Sequence, residues 1–279
     1  MWETNQRYAD AHAADLSSRN QVVSALSFGS RSQLVSAAER VEITRGDVLS
    51  RAGSTVSHFF FVESGMVSLI KPMQNGQGAE IGAVGLEGMA PPVAGAIFDC
   101  PRAIFDSVVQ ISGTALCIRR DVLEQLLVHD AELLQLMRAY TGVALNQLVQ
   151  TAACNTLHLV DQRCSRWLLQ AHDRASSDSF ALTHEFLAMT LGVRRASVSV
   201  AAERLQRAGL IQYNRGNVRI SDRRGLEQTS CECYATMRHE IAVFFAKHSP
   251  ISKSRLVPLN PETKHARYEF GQTGRLRVG

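Results

Sequence analysis

Apolar and polar positions divide this chain into two parts with different periods. Short apolar runs at Val41–Ile43, Phe59–Val62, Val67–Ile70, Glu80–Val84, Ile104–Val109 and Ala115–Ile118 are separated by Gly, Pro, Asn or Ser. Runs of that length between turn residues predict strands, with Gln74-Asn75-Gly76 as a hairpin tip. Several short strands with regular turns predict a closed roll or sandwich, a description that a small ligand-free β-barrel also meets. From Asp130 to Ala153 the period becomes helical, with no Pro and a single Gly, and apolar residues spread over more than one side. A helix of that kind must bury against its own roll and against something else. Its subset Leu133, Met137, Tyr140, Ala144 and Leu148 has the spacing of a paired helix, and a central core helix in a monomer would read the same way.

Leu182 to Ile211 is the most informative stretch, because it predicts two short helices joined at Gly192. In the first, Phe186, Leu187, Thr190 and Leu191 recur at helical spacing, and Ala188 is small enough for a second helix to cross above it. Gly192 supplies a turn at little steric cost, and Val193 can bury at the corner. In the second helix, about Arg195 to Ala208, Val198, Ala201, Ala202 and Leu205 share one side, leaving Arg195, Ala196, Ser199, Val200 and Glu203 outside or on the flank; Gly209 ends it. This is a helix-turn-helix pattern, which an ordinary helix pair in an α core could share. Ile211 to Ile220 then alternates and turns at Arg215-Gly216-Asn217, the signature of a β-hairpin. Arg215 and Arg219 on such a wing would lie beside the second helix, where phosphates run.

With these residues in view, the chain resembles the cyclic-AMP receptor / fumarate-nitrate regulator (Crp/Fnr) superfamily of transcription factors. Two stretches carry the resemblance. The frame Gly192, Arg195, Val198, Leu205, Leu210 and Ile211 matches the superfamily's helix-turn-helix without a gap. Gly46-Asp47-Val48-Leu49, Gly53 and Phe60 to Val67 match the spaced glycines of its cyclic-nucleotide-binding-type β-roll. The resemblance implies an α+β fold with an N-terminal β-roll, a long dimerisation helix and a C-terminal winged helix-turn-helix. The expected divisions are an extension over 1–20, the roll over 21–129, the dimerisation helix over 130–153, the DNA-binding domain over 154–246 and a basic, disordered tail over 247–279.

The resemblance also implies a homodimer that binds palindromic double-stranded DNA, with RNA polymerase a candidate partner. Arg195 is the expected base reader, since an arginine there can bond bidentately to guanine. Superfamily members that read the best-known operator carry an acidic residue next and a basic residue five positions after the arginine. This chain has Ala196 and Val200, so a changed half-site is expected. The candidate DNA-binding residues are Arg194, Arg195, Ala196, Ser197, Ser199, Val200, Arg204, Arg215 and Arg219, with Arg207 a further phosphate candidate.

The superfamily's nucleotide pocket uses a helix N-terminus, a Glu for the ribose and an Arg followed by a hydroxylated residue for the phosphate. The corresponding segment here is Gly85 to Pro92, and the next arginine, Arg102, is followed by Ala103 and Ile104. Glu87 and Arg102 are candidates for a ligand-binding polar pair, but the cassette is degenerate. No cofactor is expected and cyclic AMP is not; the roll either senses something else or serves as a scaffold.

Composition changes this picture in three places. The chain's 279 residues and 45% hydrophobic content suffice for two domains. No apolar run reaches membrane-spanning length and residues 1–20 lack a signal-peptide core, so no membrane partner and a cytoplasmic location are expected. The net charge of +4 is exceeded by the tail alone, where seven Lys and Arg after residue 246 face two Glu. Only local charge, on and beside the second helix, therefore bears on nucleic acid. The six cysteines form no disulfide framework, none precedes Cys100, and Cys231-Glu232-Cys233 is too closely spaced for the usual zinc pattern. No catalytic fingerprint occurs, so neither catalytic residues nor a metal site are expected. The rival reading is a metal- or thiol-dependent sensor or enzyme built on Cys154, His158 and Asp161, which share one helical face.

Overall fold

In a computed structural model, residues 17–92, 94–97 and 100–249 are described, together with the backbone of two short strands farther on. The N-terminal part starts with α1 (Gln21–Ser24) and α2 (Phe28–Ser36). Eight strands follow: β1 (Glu39–Ile43), β2 (Val48–Ser50), β3 (His58–Val62), β4 (Met66–Pro72), β5 (Gly78–Val84), β6 (Met89–Ala90), β7 (Asp106–Ile111) and β8 (Gly113–Arg119), with the short α3 (Ala94–Ile97) between β6 and β7. They form two antiparallel four-stranded sheets, ordered β1-β8-β3-β6 and β2-β7-β4-β5. The period of two sorts side chains between two cores. Val62, Val67, Val84, Val109 and Ala115 fill the space between the sheets. Phe59 and Phe61, on the opposite face of β3, pack with Leu116 and Ile118 against helices. The predicted tip at Gln74-Asn75-Gly76 joins β4 to β5, with Met73 N–H donating to the Gln77 carbonyl.

α4 (Arg120–His129) leads into the long α5 (Ala131–Leu157), whose N-cap Asp130 accepts from Leu133 N–H. Its faces are not arranged as the heptad-like subset suggested. Leu133, Met137 and Tyr140 are buried in the core beneath β3 and β8, so that seam is spent within the chain. Apart from Leu157 in its last turn, the large outward apolar residues are Leu145 and Val149, 59% and 62% exposed, on the same side as the open Gly142.

The C-terminal part comprises α6 (Val160–Arg174), β9 (Ser179–Ala181), α7 (His184–Leu191), α8 (Arg195–Arg207), β10 (Ile211–Asn214), β11 (Asn217–Ile220), α9 (Arg223–Thr229) and α10 (Cys233–His248). Trp167, Leu187, Leu191, Val198, Leu205 and Val218 form its core, which Met66 of the roll joins. α10 does not stay in this part: it runs back along α5, so that Tyr234 near its start belongs to the helix-turn-helix core and Phe244 near its end to the roll core. Two buried polar contacts tie the parts together. Trp167 Nε1–H donates to Glu80 Oε1 at 2.9 Å, and Arg174 Nε donates to Glu87 Oε1 at 3.1 Å. Burial pushes the Glu80 carboxyl up to about 7.

The expected disordered tail lies largely outside the described residues; within it, β12 (Tyr268–Phe270) and β13 (Leu276–Val278) pair antiparallel. No helix among the described residues is long and apolar enough to cross a membrane.

Candidate nucleic-acid interface

The site is built from α7, α8 and the β10–β11 hairpin. Thr183 caps α7, its hydroxyl accepting from Phe186 N–H. Gly192 ends α7 in the left-handed region, φ 61°, where a residue with a Cβ is strained. Four residues at helical spacing, Val198, Ala201, Ala202 and Leu205, are buried and anchor α8 across α7 and α6. That anchoring sends Arg195, Ala196, Ser197, Val200, Glu203, Arg204 and Arg207 to the solvent side. The helix therefore stands on the surface with an apolar underside and a polar, arginine-led outer face. The hairpin turns at Arg215-Gly216, both at positive φ (45° and 81°), as a two-residue connection requires, and β11 also pairs with β9. Arg215 and Arg219 are exposed on it.

Ala196, Ser197 and Val200 are exposed, and the arginines and Ser199 among the expected contact residues divide into three groups. Arg194, Arg215 and Arg219 are exposed and have no ion pair among the described residues. Arg195, Arg204 and Arg207 are exposed but paired, with Glu185 (2.9 Å), Asp161 (2.9 Å) and Glu203 (2.5 Å) respectively. Ser199 is half-buried, its hydroxyl 3.0 Å from His184 Nδ1 and 3.2 Å from the Arg195 carbonyl oxygen, which turns it inward as a positioning group.

That last arrangement has no sequence signal. The His184 ring lies 4.4 Å from the Tyr213 ring, the Tyr213 hydroxyl donates to the Leu182 carbonyl, and Tyr213 N–H donates to Gln206 Oε1 at 2.7 Å. His184 and Tyr213 thus lock α7, α8 and the wing at one angle. Burial, helped by the Arg195 charge, lowers the His184 pKa, so the imidazole is neutral at pH 7.

The expected ligand pair is not formed. Glu87 accepts from Arg174 of α6 and from Gly85 N–H, whereas Arg102 Nη1 donates to the Gly53 carbonyl at 3.3 Å. Both line a cavity of 390 Å³ between the roll, α5 and α10, whose wall is otherwise mainly apolar and includes Leu69, Met89, Phe105, Tyr140, Leu148 and Phe245. Gly88 is needed there, because Tyr140 Oη occupies the space that a Cβ would fill. Of the rival trio, Cys154 and His158 do approach one another, but Asp161 is taken by Arg204. The groups that complete this cluster are Cys231 and Cys233.

Residues 162–229 match the Crp-like helix-turn-helix domain, a span that includes α7, α8 and the wing. Solved structures match over the roll as well. FixK2 from Bradyrhizobium japonicum is 16% identical, with a TM-score of 0.59 over 70% of this chain and 98% of its own. A c-di-GMP-responsive global regulator from Xanthomonas campestris is 18% identical, with a TM-score of 0.56 over 70% and 99%. A Crp/Fnr-family transcriptional regulator from Thermus thermophilus is 19% identical, with a TM-score of 0.57 over 69% and 98%. No curated protein matches the chain in sequence. Residues 162–229 thus match a Crp-like helix-turn-helix domain, and the arginine-led helix across Gly192, the wing beside it and the eight-stranded roll in front of them together have the fold seen in Crp/Fnr-type regulators.

Proposed function

We propose that the protein is a transcription regulator that binds a palindromic operator as a homodimer, inserting the N-terminal half of α8 into the major groove. The observation that carries this reading is the helix itself: all four of its inward residues are buried, while its arginine-bearing face is solvent-exposed and flanked by the basic wing. Arg195 reads a base edge, with Ala196 and Val200 available for thymine methyl groups. Arg194, Arg215 and Arg219 hold phosphates. Such a protein works in the cytoplasm, where its DNA is.

The dimer forms through the outer face of α5. Gly142, Leu145 and Val149 lie at spacings of three and four on a solvent-exposed side of a 27-residue helix, the pattern of a helix seam. Two-fold symmetry of that kind matches inverted half-sites. The roll does not take a cyclic nucleotide, because Glu87 is committed to Arg174, Arg102 stands apart from it, and the cavity wall is mainly apolar.

Selection from random DNA followed by fluorescence anisotropy tests the reading. Enrichment of an inverted repeat that contains a guanine lost as a determinant in Arg195→Ala is the expected result. Binding that is equal on all sequences at every salt concentration overturns it. Leu145→Glu is expected to give half the mass in sedimentation equilibrium and to abolish high-affinity operator binding; a dimer that persists unchanged removes α5 as the seam.

A further inference from the structure

A separate site lies where α5 ends and α10 begins. Cys154, Cys231 and Cys233 are each at most 3% exposed and form a small buried cluster of their own, with no aliphatic side chain among its members. His158, the C-cap of α5, closes the fourth side. The ligand atoms of all four residues lie within 4.8 Å of one another, with Cys154 Sγ 3.5 Å from Cys231 Sγ and Cys233 Sγ 3.5 Å from His158 Nδ1. A tetrahedral ion with bonds of about 2.3 Å to sulfur and about 2.0 Å to nitrogen sets its ligands roughly 3.5–3.8 Å apart. The cluster is therefore close to the size of one ion. A disulfide would need its sulfurs at about 2.0 Å, and a cluster of several irons holds its sulfurs farther apart than a single ion does.

The surroundings are also those of a metal ligand set. His158 presents Nδ1 to the sulfurs while its Nε2 lies 3.1 Å from Glu232 Oε1, the carboxylate contact that fixes a ligating imidazole's tautomer. Gln150 Nε2 donates to Cys233 Sγ at 3.0 Å, as amides do to thiolates. Three thiolates and a neutral imidazole around a divalent cation leave one negative charge. The buried guanidinium groups of Arg163 and Arg166 act electrostatically on Cys154. We propose that Cys154, His158, Cys231 and Cys233 bind one zinc ion in a closed Cys3His site that staples the end of α5 to the α9–α10 junction. Binding expels the remaining thiol protons to solvent, with no change of redox state. With four protein ligands the ion has no open position, so its role is structural. The staple sits at the break between α5 and α6, the joint on which the helix-turn-helix is carried.

The test uses the full-length protein purified with a reductant and without chelator. Elemental analysis is expected to find about one zinc per chain, released in step with thiol modification. After the zinc is removed, cobalt(II) is expected to restore a saturable one-to-one complex with thiolate charge-transfer bands and tetrahedral visible bands. Cys154→Ser/Cys233→Ser is expected to lose at least about tenfold in metal content, whereas Cys117→Ser keeps it. The cobalt titration is done on the unsubstituted chain, so a variant that fails to fold does not blunt the test. Reduced protein that takes up neither zinc nor cobalt, a Cys154–Cys231 disulfide in the reductant-purified protein, or iron with acid-labile sulfide would each overturn the assignment. None of these readouts depends on DNA binding.

Discussion

Two of the Arg–Glu pairs made by the C-terminal part have opposite consequences. Arg174 and Glu87 join α6 to the roll with side chains only 7% and 12% exposed, whereas Arg195 and Glu185 meet on the outer face with 67% and 65% exposed. In the first pair both charges have given up water, so each depends on the other. In the second, solvent screens the attraction and competes for both partners, so the pair is worth about 0–1 kcal/mol and opens readily. Burial makes one arginine a fastener; exposure leaves the other free to exchange its carboxylate for another partner. Residue type does not decide between them.

The largest way to sharpen that contrast is Arg174→Ala. It leaves Glu87, with a side chain only 12% exposed, without its partner, and a loss of about 3–5 kcal/mol in chemical denaturation is expected. Replacing the pair together, Arg174→Met with Glu87→Leu, should recover most of that loss. Unchanged stability in Arg174→Ala would show that water reaches the seam.

Next comes the pH dependence of the same seam. Glu80 has a folded pKa of about 7 against an ordinary value of 4.5, so between these the folded state binds the extra proton. For this group stability is greatest below pH 4.5, falls as pH rises towards 7 and is flat above. The total is at most about 3 kcal/mol. Thermal unfolding should therefore show wild-type protein losing stability between pH 5 and pH 8 by an amount that Glu80→Gln removes.

On the solvated side, Arg195→Ala should cost about 1–3 kcal/mol of operator affinity and relax preference at one base pair, while moving unfolding by less than about 0.5 kcal/mol. The smallest effect is expected of Glu185→Gln. Removing the competing carboxylate should tighten DNA binding by a few tenths of a kcal/mol, read as a small drop in Kd at low salt that fades at high salt. Weaker binding by that variant would mean that Glu185 orients Arg195 and does not compete for it.

Much of the fold was legible because its signals are local. Val198, Ala201, Ala202 and Leu205 all go inward as their spacing predicts, Gly192 takes its left-handed turn, and the wing reverses at Arg215-Gly216. The six apolar runs lie at six strands. The strands that escaped, β2, β6, β9, β12 and β13, have two or three residues each, too few to display a period of two. The extent of α5 was legible apart from its last turn, but not its faces. A helix apolar on several sides does not say which side meets its own roll and which meets a partner.

The cysteine cluster and the fastener were illegible for another reason. Cys154 and Cys231 are 77 residues apart, and Glu87 and Arg174 are 87 apart, so no window along the chain contains either pair. The spacing rule that excluded zinc applies to ligands presented by one loop, and here the α9–α10 junction brings two of them to the end of another helix. Likewise the hydrogen bond that turns Ser199 towards His184, 15 residues earlier, leaves no mark in the helical spacing.

By itself the sequence determined the things set by neighbours along the chain: where six strands, the long helix, the helix pair and its wing form, where the chain reverses between them, and that an arginine leads the second helix of the pair. Tertiary structure alone decided which arginines lose their water, which face of α5 stays free and which thiols meet. These follow from burial and from proximity between distant segments, and neither exists until the two parts have closed on each other.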